Sequence, residues 1–251
     1  MIYFVGAGPG APDLITVRGK KLLEKADQII YAGSLVNPAL LDWAKPGCVF
    51  YNSASMTLEE VVERFIEGER EQRITLRLHT GDPRIYGAIR EQKDRLESLG
   101  FGYEVVPGVS SFSAAAAALK AEYTLPGVSQ TLIITRAAGR TATPETEDLS
   151  SLAAHRAGMA VFLSAGLLET LRQKLLAGGY PPETPAAIVY KAGWPEEKII
   201  RTSLNDIAVM GEEAGITRTA LILVGGFLGE NYERSKLYDP RFTHGFRQGE
   251  K

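Results

Sequence analysis

The chain has 251 residues, of which 45% are hydrophobic and 23% are charged, so it is long enough to bury one large core or two modest ones. Its formal net charge is −2, from 28 basic and 30 acidic side chains, and no run of like charges stands out, which argues against a nucleic-acid partner. No apolar run approaches the roughly 18 residues that a membrane span needs, and no basic segment followed by an apolar stretch opens the chain. We therefore expect a cytoplasmic protein with no membrane partner.

Up to about residue 119, the pattern alternates between strand-like and helix-like segments. The strand-like runs are residues 2–5, 28–31, 49–51, 74–78 and 103–106, and the clearest helices are residues 58–69 and 89–99. Thr57 and Glu60 predict a capping box at the start of the first of these helices. Because such alternation requires crossover connections, it predicts an α/β fold with a mainly parallel sheet.

The first strand runs directly into a glycine-rich turn at residues 6–12. Gly6, Gly8 and Ala11 fit the spacing of a dinucleotide-binding fingerprint. However, Pro9 and Pro12 remove amide donors from that turn. The second strand also ends in AGS at residues 32–34, where the fingerprint requires an acid for the ribose. A dinucleotide-dependent oxidoreductase and a purely structural turn remain open as alternatives.

The second half of the chain has a different pattern. Strand-like runs occur at residues 132–134, 160–163, 186–190, 198–201 and 220–224. The short connection at residues 192–195 can only join antiparallel strands, so we expect a mixed sheet there. This organisation predicts an N-terminal domain at 1–118, a C-terminal domain at 119–230 and a tail at 231–251.

Potential metal ligands are sparse in the sequence. The chain has one cysteine, Cys48, and its three histidines, His79, His155 and His244, are far apart. This set does not match the spacing of metal-binding motifs, so we expect no protein-bound metal. His79 ends an apolar run before a glycine turn, and we expect a structural or solvent-edge role for it.

Three turns of the first half each follow a strand. They are residues 8–12, residues 80–87 and residues 107–111. In a parallel sheet, such turns emerge at the same end of the strands, where ligands of these folds usually bind. The sequence therefore predicts that the three turns converge on one binding site.

Together with two later segments, these turns resemble the tetrapyrrole methylases. The motifs, in chain order, are VGAGPGAPDLIT at 5–16, GDP at 81–83 followed by IY at 85–86, PGVSS at 107–111, TR at 135–136 and KAGWP at 191–195. The resemblance spans residues 2 to about 228. Residues 31–36, YAGSLV, are similar to the branch that methylates carbon 11 of precorrin-4 or its cobalt complex. Methylation of another precorrin or of uroporphyrinogen remains an alternative, as does a non-catalytic tetrapyrrole binder.

The resemblance implies two α/β domains with S-adenosylmethionine bound in a cleft between them, and S-adenosylhomocysteine as the product. At Leu163 many members of the family carry methionine, but the contact is typically made through the backbone. The implied cofactor-binding residues are Pro9, Gly81, Asp82, Ile85, Ser110, Ser111, Leu163, Ala192, Thr219 and Ala220.

The resemblance also suggests roles in catalysis and substrate binding. Asp82 is a candidate for binding the cofactor or favouring its cationic sulfur, and Tyr86 for orienting the macrocycle. A precorrin carries several carboxylates, and a guanidinium can hold a carboxylate with two hydrogen bonds. The candidates for this contact lie in or beside the motif loops and are Arg18, Arg84, Arg136 and Arg140. Members of the family form homodimers, and we expect the C-terminal domain to carry that contact.

Overall fold

The structure is a computed structural model that describes residues 1–250, with the backbone alone at Ser34. Within these residues the chain divides into two compact units. The first comprises Met1–Ala114 and Lys191–Glu197, and the second comprises Ala115–Tyr190 and the chain from Lys198 onward. The loop at residues 191–197 thus belongs to the first unit, although both neighbouring segments belong to the second.

The first unit is built on a parallel sheet. Its strands are β1 (Ile2–Gly6), β2 (Gln28–Tyr31), β3 (Val49–Asn52), β4 (Thr75–His79) and β5 (Tyr103–Val106), in the order β3-β2-β4-β1-β5. Its helices are α1 (Val17–Leu23), α2 (Leu58–Arg70), α3 (Ile89–Ser98) and the start of α4 (Ser111–Leu119). Every pair of neighbouring strands is parallel, as the alternating pattern predicts.

The predicted capping box is present at the start of α2. The Thr57 hydroxyl oxygen accepts a hydrogen bond from the Glu60 amide at 3.3 Å, and the Thr57 amide donates to the Glu60 carboxylate at 2.6 Å. The helix buries Val61, Val62 and Phe65, which pack in one hydrophobic cluster with residues of β1 and β2. Capping and one apolar face together place α2 on the sheet.

The second unit contains the expected mixed sheet. Its strands are β6 (Leu132–Arg136), β7 (Gly158–Phe162), β8 (Pro185–Tyr190), β9 (Lys198–Ser203) and β10 (Ala220–Val224), and its helices are α5 (Leu149–Ala153), α6 (Leu168–Ala177) and α7 (Ile207–Glu213). The strand order is β6-β7-β10-β8-β9, and of these pairs only β6 with β7 is parallel within the described residues. The β8–β9 pairing, in which Tyr190 lies opposite Lys198, confirms the antiparallel connection.

Strand β4 lies inside the first sheet and carries two basic side chains on one face. Arg77 is 7% exposed, and its Nε donates to the Gln92 side chain at 3.1 Å. His79 is 4% exposed, and its ring stacks on Phe4 with 6.2 Å between the ring centroids. Of the two roles foreseen for His79, this burial fits the structural one.

The segment from residue 231 to residue 250 contains little regular structure, apart from a short 3₁₀ helix at Lys236–Tyr238. Lys251, the last residue of the predicted tail, lies outside the described residues. None of the described helices is both long and apolar enough to cross a membrane.

Candidate active site

The three predicted turns converge at the carboxyl ends of β4, β1 and β5. Gly8 and Gly81 pair through their backbones, with N–O distances of 3.3 Å and 2.8 Å. The Gly108 amide donates to the Asp82 carboxylate at 3.1 Å. The turns meet because β1 lies between β4 and β5 in the sheet. We call Gly6, Gly8, Gly81, Asp82 and Gly108 the first cluster.

Close backbone approach explains why Gly6 and Gly108 are glycines. A Cβ atom on Gly108 would lie 2.1 Å from the Gly81 carbonyl oxygen and 2.7 Å from the Gly6 Cα. A Cβ on Gly6 would lie 2.5 Å from the Gly108 Cα. The three strand ends therefore approach each other more closely than any side chain allows.

Asp82 holds the first cluster together through both carboxylate oxygens. Oδ1 accepts from the Arg84 amide and from Arg84 Nε, each at 2.9 Å. Oδ2 accepts from Arg84 Nη2 at 2.8 Å, in addition to the Gly108 amide. Burial by itself raises the pKa of Asp82, but the hydrogen bonds from Arg84 and Gly108 outweigh it and leave the pKa below its ordinary value. Asp82 is therefore an ionised carboxylate whose charge is balanced by Arg84.

A cavity of about 610 Å³ opens beside the first cluster, within the size range of small-molecule sites. The predicted residues Asp82, Ile85 and Ser110 line it, together with Arg84. Ser111 begins α4, next to Ser110. The wall also includes residues that the sequence patterns did not single out as contacts, namely Gly108, Val109, Phe112 and Ser113.

Tyr86 follows Asp82 on a strained segment of the backbone. Tyr86 and Ala88 have φ angles of 54° and 49°, in the left-handed region that costs a residue with a side chain about 1–2 kcal/mol. Gln92 stabilises this segment by donating to the Ala88 carbonyl at 3.0 Å while accepting from Arg77. The buried Arg77–Gln92 pair thus supports the turn that presents Tyr86, whose side chain is partly exposed.

The predicted residues of the second half gather at one end of the mixed sheet. Arg136 ends β6 opposite Phe162, and Ala220 begins β10 opposite Tyr190. Continuing the β7–β10 register, in which Ile222 lies opposite Val161, places Leu163 opposite Ala220. We call Arg136, Leu163, Thr219 and Ala220 the second cluster.

Two residues of the second cluster have left-handed backbones despite carrying side chains. The φ angles are 53° at Leu163 and 55° at Thr219, and the Leu163 side chain is 70% exposed. An exposed leucine in a strained conformation contributes little to a core, and such strain concentrates at functional sites. That Leu163 makes a cofactor contact through its backbone stays a prediction.

Ser164 is a residue of this region that motif analysis missed. Its side chain is fully buried, and its Oγ accepts from the Ala137 amide at 2.8 Å and donates to the Phe162 carbonyl at 2.7 Å. These bonds join the chain after β6 to the chain after β7 and support the strained backbone at Leu163. A serine directly after an apolar strand is the only sequence signal for this role.

The predicted substrate-binding arginines have different surroundings. Arg18 pairs with Glu104, and Arg84 pairs with Asp82. Arg136 donates to main-chain carbonyls of the loop that follows it, including Thr141 at 3.1 Å. Arg140 is exposed in that same loop.

The structure argues against the dinucleotide fingerprint for a local reason. After Ala11 the chain forms a short 3₁₀ helix at Pro12–Leu14, and α1 begins only at Val17. The Thr16 hydroxyl caps α1 by accepting from the Gly19 amide at 3.0 Å. The glycine-rich turn therefore does not open an α-helix, which the fingerprint requires for binding a pyrophosphate.

Within residues 1–250, no group of three or more His, Cys, Asp or Glu side chains is placed to hold a metal ion. The lone cysteine, Cys48, is partly buried, and its thiol pKa is raised to about 11, mainly by burial.

Sequence and structure comparisons place these observations in a known group of proteins. The sequence profile of the tetrapyrrole (corrin/porphyrin) methylases matches residues 1–208. The cobalt-precorrin-4 C(11)-methyltransferase of Methanocaldococcus jannaschii is 51% identical over 251 residues, which cover 100% of this chain and 97% of that protein.

Two solved structures have a similar fold. A cobalt precorrin-4 methyltransferase described as a cobalamin biosynthetic enzyme matches with a TM-score of 0.89 at 47% identity, over 91% of this chain and 96% of that chain. A uroporphyrin-III C-methyltransferase from Thermus thermophilus, complexed with S-adenosyl homocysteine, matches with a TM-score of 0.76 at 28% identity, over 90% of this chain and 92% of that one. With its glycine turns, its two sheets and these full-length similarities, the chain belongs to the tetrapyrrole methylase family.

Proposed function

We propose that this protein transfers a methyl group from S-adenosylmethionine to carbon 11 of precorrin-4 or cobalt-precorrin-4, in cobalamin biosynthesis. The structural observation that carries the proposal is the convergence of three glycine turns on Asp82 beside a cavity of about 610 Å³. The position of methylation follows from the full-length identity of 51% with a relative named for that reaction. A different precorrin or uroporphyrinogen is the alternative substrate.

The first cluster suits S-adenosylmethionine in both size and charge. The cavity beside it is lined by two serines, by glycine main chain and by one carboxylate that Arg84 already balances, so a ligand with charges of both signs fits there. When bound, the cofactor supplies a methyl group made electrophilic by a sulfonium. The residues that bind it are Pro9, Gly81, Asp82, Ile85, Ser110, Ser111, Leu163, Ala192, Thr219 and Ala220.

Positioning is the main contribution of the protein to this chemistry. Holding two reacting groups in the right geometry can lower a reaction barrier by about 7–11 kcal/mol. Asp82 contributes by fixing the turns after β4 and β5, and because its pKa is lowered it stays ionised and takes no proton near neutral pH. Tyr86, presented by the turn that Gln92 supports, orients the macrocycle.

Arginines near the motif loops bind the carboxylates of the substrate. Arg84 uses Nε and Nη2 to hold Asp82, which leaves Nη1 outside that pairing, on a side chain that is 62% exposed. Arg18 supplies further positive charge from α1, and Arg136 and Arg140 supply it from the end of β6 and from the loop that follows. A fixed guanidinium loses little freedom on binding a carboxylate, so Arg84 is the strongest of the four candidates.

The family resemblance extends the proposal to assembly and location. The enzyme is a homodimer that forms through its second unit, it carries no metal of its own, and it acts in the cytoplasm. Light scattering tests the dimer, elemental analysis of the purified protein tests for a metal, and cell fractionation tests the location.

Ligand binding and turnover test the function together. S-adenosylhomocysteine should raise the melting temperature, because a ligand that binds only the native state stabilises it, and NADH should not. Incubation with S-adenosylmethionine and either metal-free or cobalt-bearing precorrin-4 should add one methyl group, measured by mass spectrometry. A thermal shift with NADH and none with S-adenosylhomocysteine contradicts the proposal.

A further inference from the structure

The loop at residues 191–197 packs against the glycine-rich first turn of the chain. Trp194 Nε1 donates to the Pro9 carbonyl at 3.1 Å, although the two residues are 185 positions apart. A Cβ atom on Gly10 would lie 2.2 Å from Trp194 Cδ1 and 2.9 Å from the Ala192 carbonyl oxygen. The indole therefore lies directly on Gly10, where a glycine leaves room for it.

The loop has its own internal bonds. The Gly193 amide donates to the Glu197 carboxylate at 2.7 Å, and the Trp194 amide donates to the Lys191 carbonyl at 2.9 Å. The Lys191 ammonium lies 5.2 Å from the centroid of the Trp194 ring and 3.5 Å from the Glu196 carboxylate. These contacts hold the indole in one orientation toward the first turn.

The first turn depends on partners from elsewhere in the chain for its carbonyls. Pro9 has no amide hydrogen, and the carbonyls of Pro9 and Gly10 both accept bonds from distant side chains. Asn37 Nδ2 donates to the Gly10 carbonyl at 2.9 Å, while Trp194 holds Pro9. Trp194 and Asn37 therefore fix the position of this turn.

We infer that Trp194 is a positioning residue that sets the distance between Pro9 and Ala192. This inference rests on the proposed function, in which Pro9 and Ala192 both contact the cofactor. Ala192 is 6% exposed and lies two residues before the indole. The hydrogen bond from Trp194 keeps both contacts in place before the cofactor arrives, which lowers the cost of ordering them on binding.

Trp194→Phe tests this role, because it retains an aromatic ring and removes the Nε1–H donor. The matched control is Trp43→Phe, at the other of the two tryptophans, whose ring lies under Lys20. Hydrogen–deuterium exchange of the unliganded full-length protein follows residues 8–15 and 191–197. Isothermal titration with S-adenosylhomocysteine then gives the affinity of wild type and of both variants.

We expect exchange in both segments to be about fivefold faster in Trp194→Phe, and S-adenosylhomocysteine to bind about fivefold more weakly, as the loss of one hydrogen bond implies. The kcat at saturating cofactor should change less than about twofold, while the KM for cofactor rises. The reason is that the lost hydrogen bond stabilises the cofactor complex and the transition state equally. Trp43→Phe should match wild type in all three measurements.

Unchanged exchange in Trp194→Phe overturns the inference, as does faster exchange with unchanged affinity. A lowered melting temperature with wild-type affinity indicates a merely structural tryptophan and also overturns it. Failure of the wild-type protein to bind S-adenosylhomocysteine is a different result, since it overturns the proposed function itself and is visible without any variant.

Discussion

The two clusters at the strand ends are built by opposite means. In the first, the glycines have no side chains, so the backbones of Gly6, Gly81 and Gly108 approach closely and the Asp82 carboxylate joins two of the turns. In the second, Leu163 keeps its side chain, adopts a left-handed φ of 53° and points largely into solvent. The first cluster depends on close backbone packing, and the second depends on a strained backbone. Replacing a glycine of the first cluster with a larger residue should therefore be harmful, whereas replacing Leu163 of the second with glycine should have little effect on stability.

Adding a methyl group to the first cluster should have the largest effect on stability. We expect Gly108→Ala to lower the free energy of unfolding by about 3 kcal/mol, because its Cβ would lie 2.1 Å from the Gly81 carbonyl oxygen and the strand ends must separate. Gly102→Ala, just before the same strand, is the matched control, because its Cβ would have no atom within 4 Å in the described structure. Urea unfolding of both variants measures the difference, and equal stabilities would show that the close approach is unimportant.

Removing the charge of Asp82 should affect turnover more than folding. We expect Asp82→Asn to lower kcat/KM about a hundredfold, because a small displacement of the turns that Asp82 holds would misplace the reacting groups. The same change should destabilise the fold by only about 1 kcal/mol. Asp148→Asn is the control, since Asp148 also accepts from a nearby amide, at 3.0 Å, and pairs with Lys174 but lies outside both clusters. A folded Asp82→Asn protein with wild-type turnover would show that Asp82 only stabilises the turn and has no role in catalysis.

The buried histidine behind the first cluster predicts a pH dependence. Burial, with a smaller contribution from the charge of Arg77, lowers the pKa of His79 to about 3, while the unfolded chain titrates near its ordinary value of 6.5. Between these values the unfolded state binds more protons, so stability is present above pH 6.5 and is lost as the pH falls toward 3. Between pH 7 and pH 5 this difference amounts to about 2 kcal/mol.

His79→Phe retains an aromatic ring against Phe4 and removes the titrating group. Wild type should lose about 2 kcal/mol more stability than His79→Phe between pH 7 and pH 5, measured by urea unfolding at each pH. His155→Phe, which replaces an exposed histidine by the same residue, controls for the substitution itself. Parallel curves for wild type and His79→Phe would mean that His79 is not held neutral in the folded protein.

The smallest effect is expected at the strained leucine of the second cluster. We expect Leu163→Gly to change the unfolding free energy by less than about 0.5 kcal/mol, because relief of the left-handed strain offsets the greater freedom of glycine in the unfolded chain. Leu171→Gly, at a fully buried position, should be strongly destabilising. A large loss at Leu163 would show that its side chain packs in solution and would remove the contrast between the clusters.

The sequence predicted the sheets well because their signals are local. Apolar runs placed the strands to within about two residues, and the short connection predicted that β8 and β9 are antiparallel. The convergence of the three glycine turns was also predictable, because the ends of neighbouring parallel strands must meet.

The remaining features depend on contacts between distant residues. Nothing near Trp194 indicates that its indole reaches Pro9, and nothing near Asp82 indicates that its carboxylate binds the Gly108 amide. The left-handed backbone of Leu163 could not be predicted from the sequence either, because leucine does not favour this conformation and the supporting bonds come from Ser164. Periodicity and turn propensity describe neighbours in sequence, so they carry no information about these contacts.

The position of the new methyl group tests the central claim most directly. The enzyme is incubated with methyl-¹³C S-adenosylmethionine and precorrin-4, metal-free or cobalt-bearing, and the product is examined by nuclear magnetic resonance, with uroporphyrinogen as a competing substrate. Because positioning selects among the nucleophilic carbons of the macrocycle, the label should appear at carbon 11 and uroporphyrinogen should remain unmethylated. Label at another carbon, or ready methylation of uroporphyrinogen, would contradict the proposed reaction.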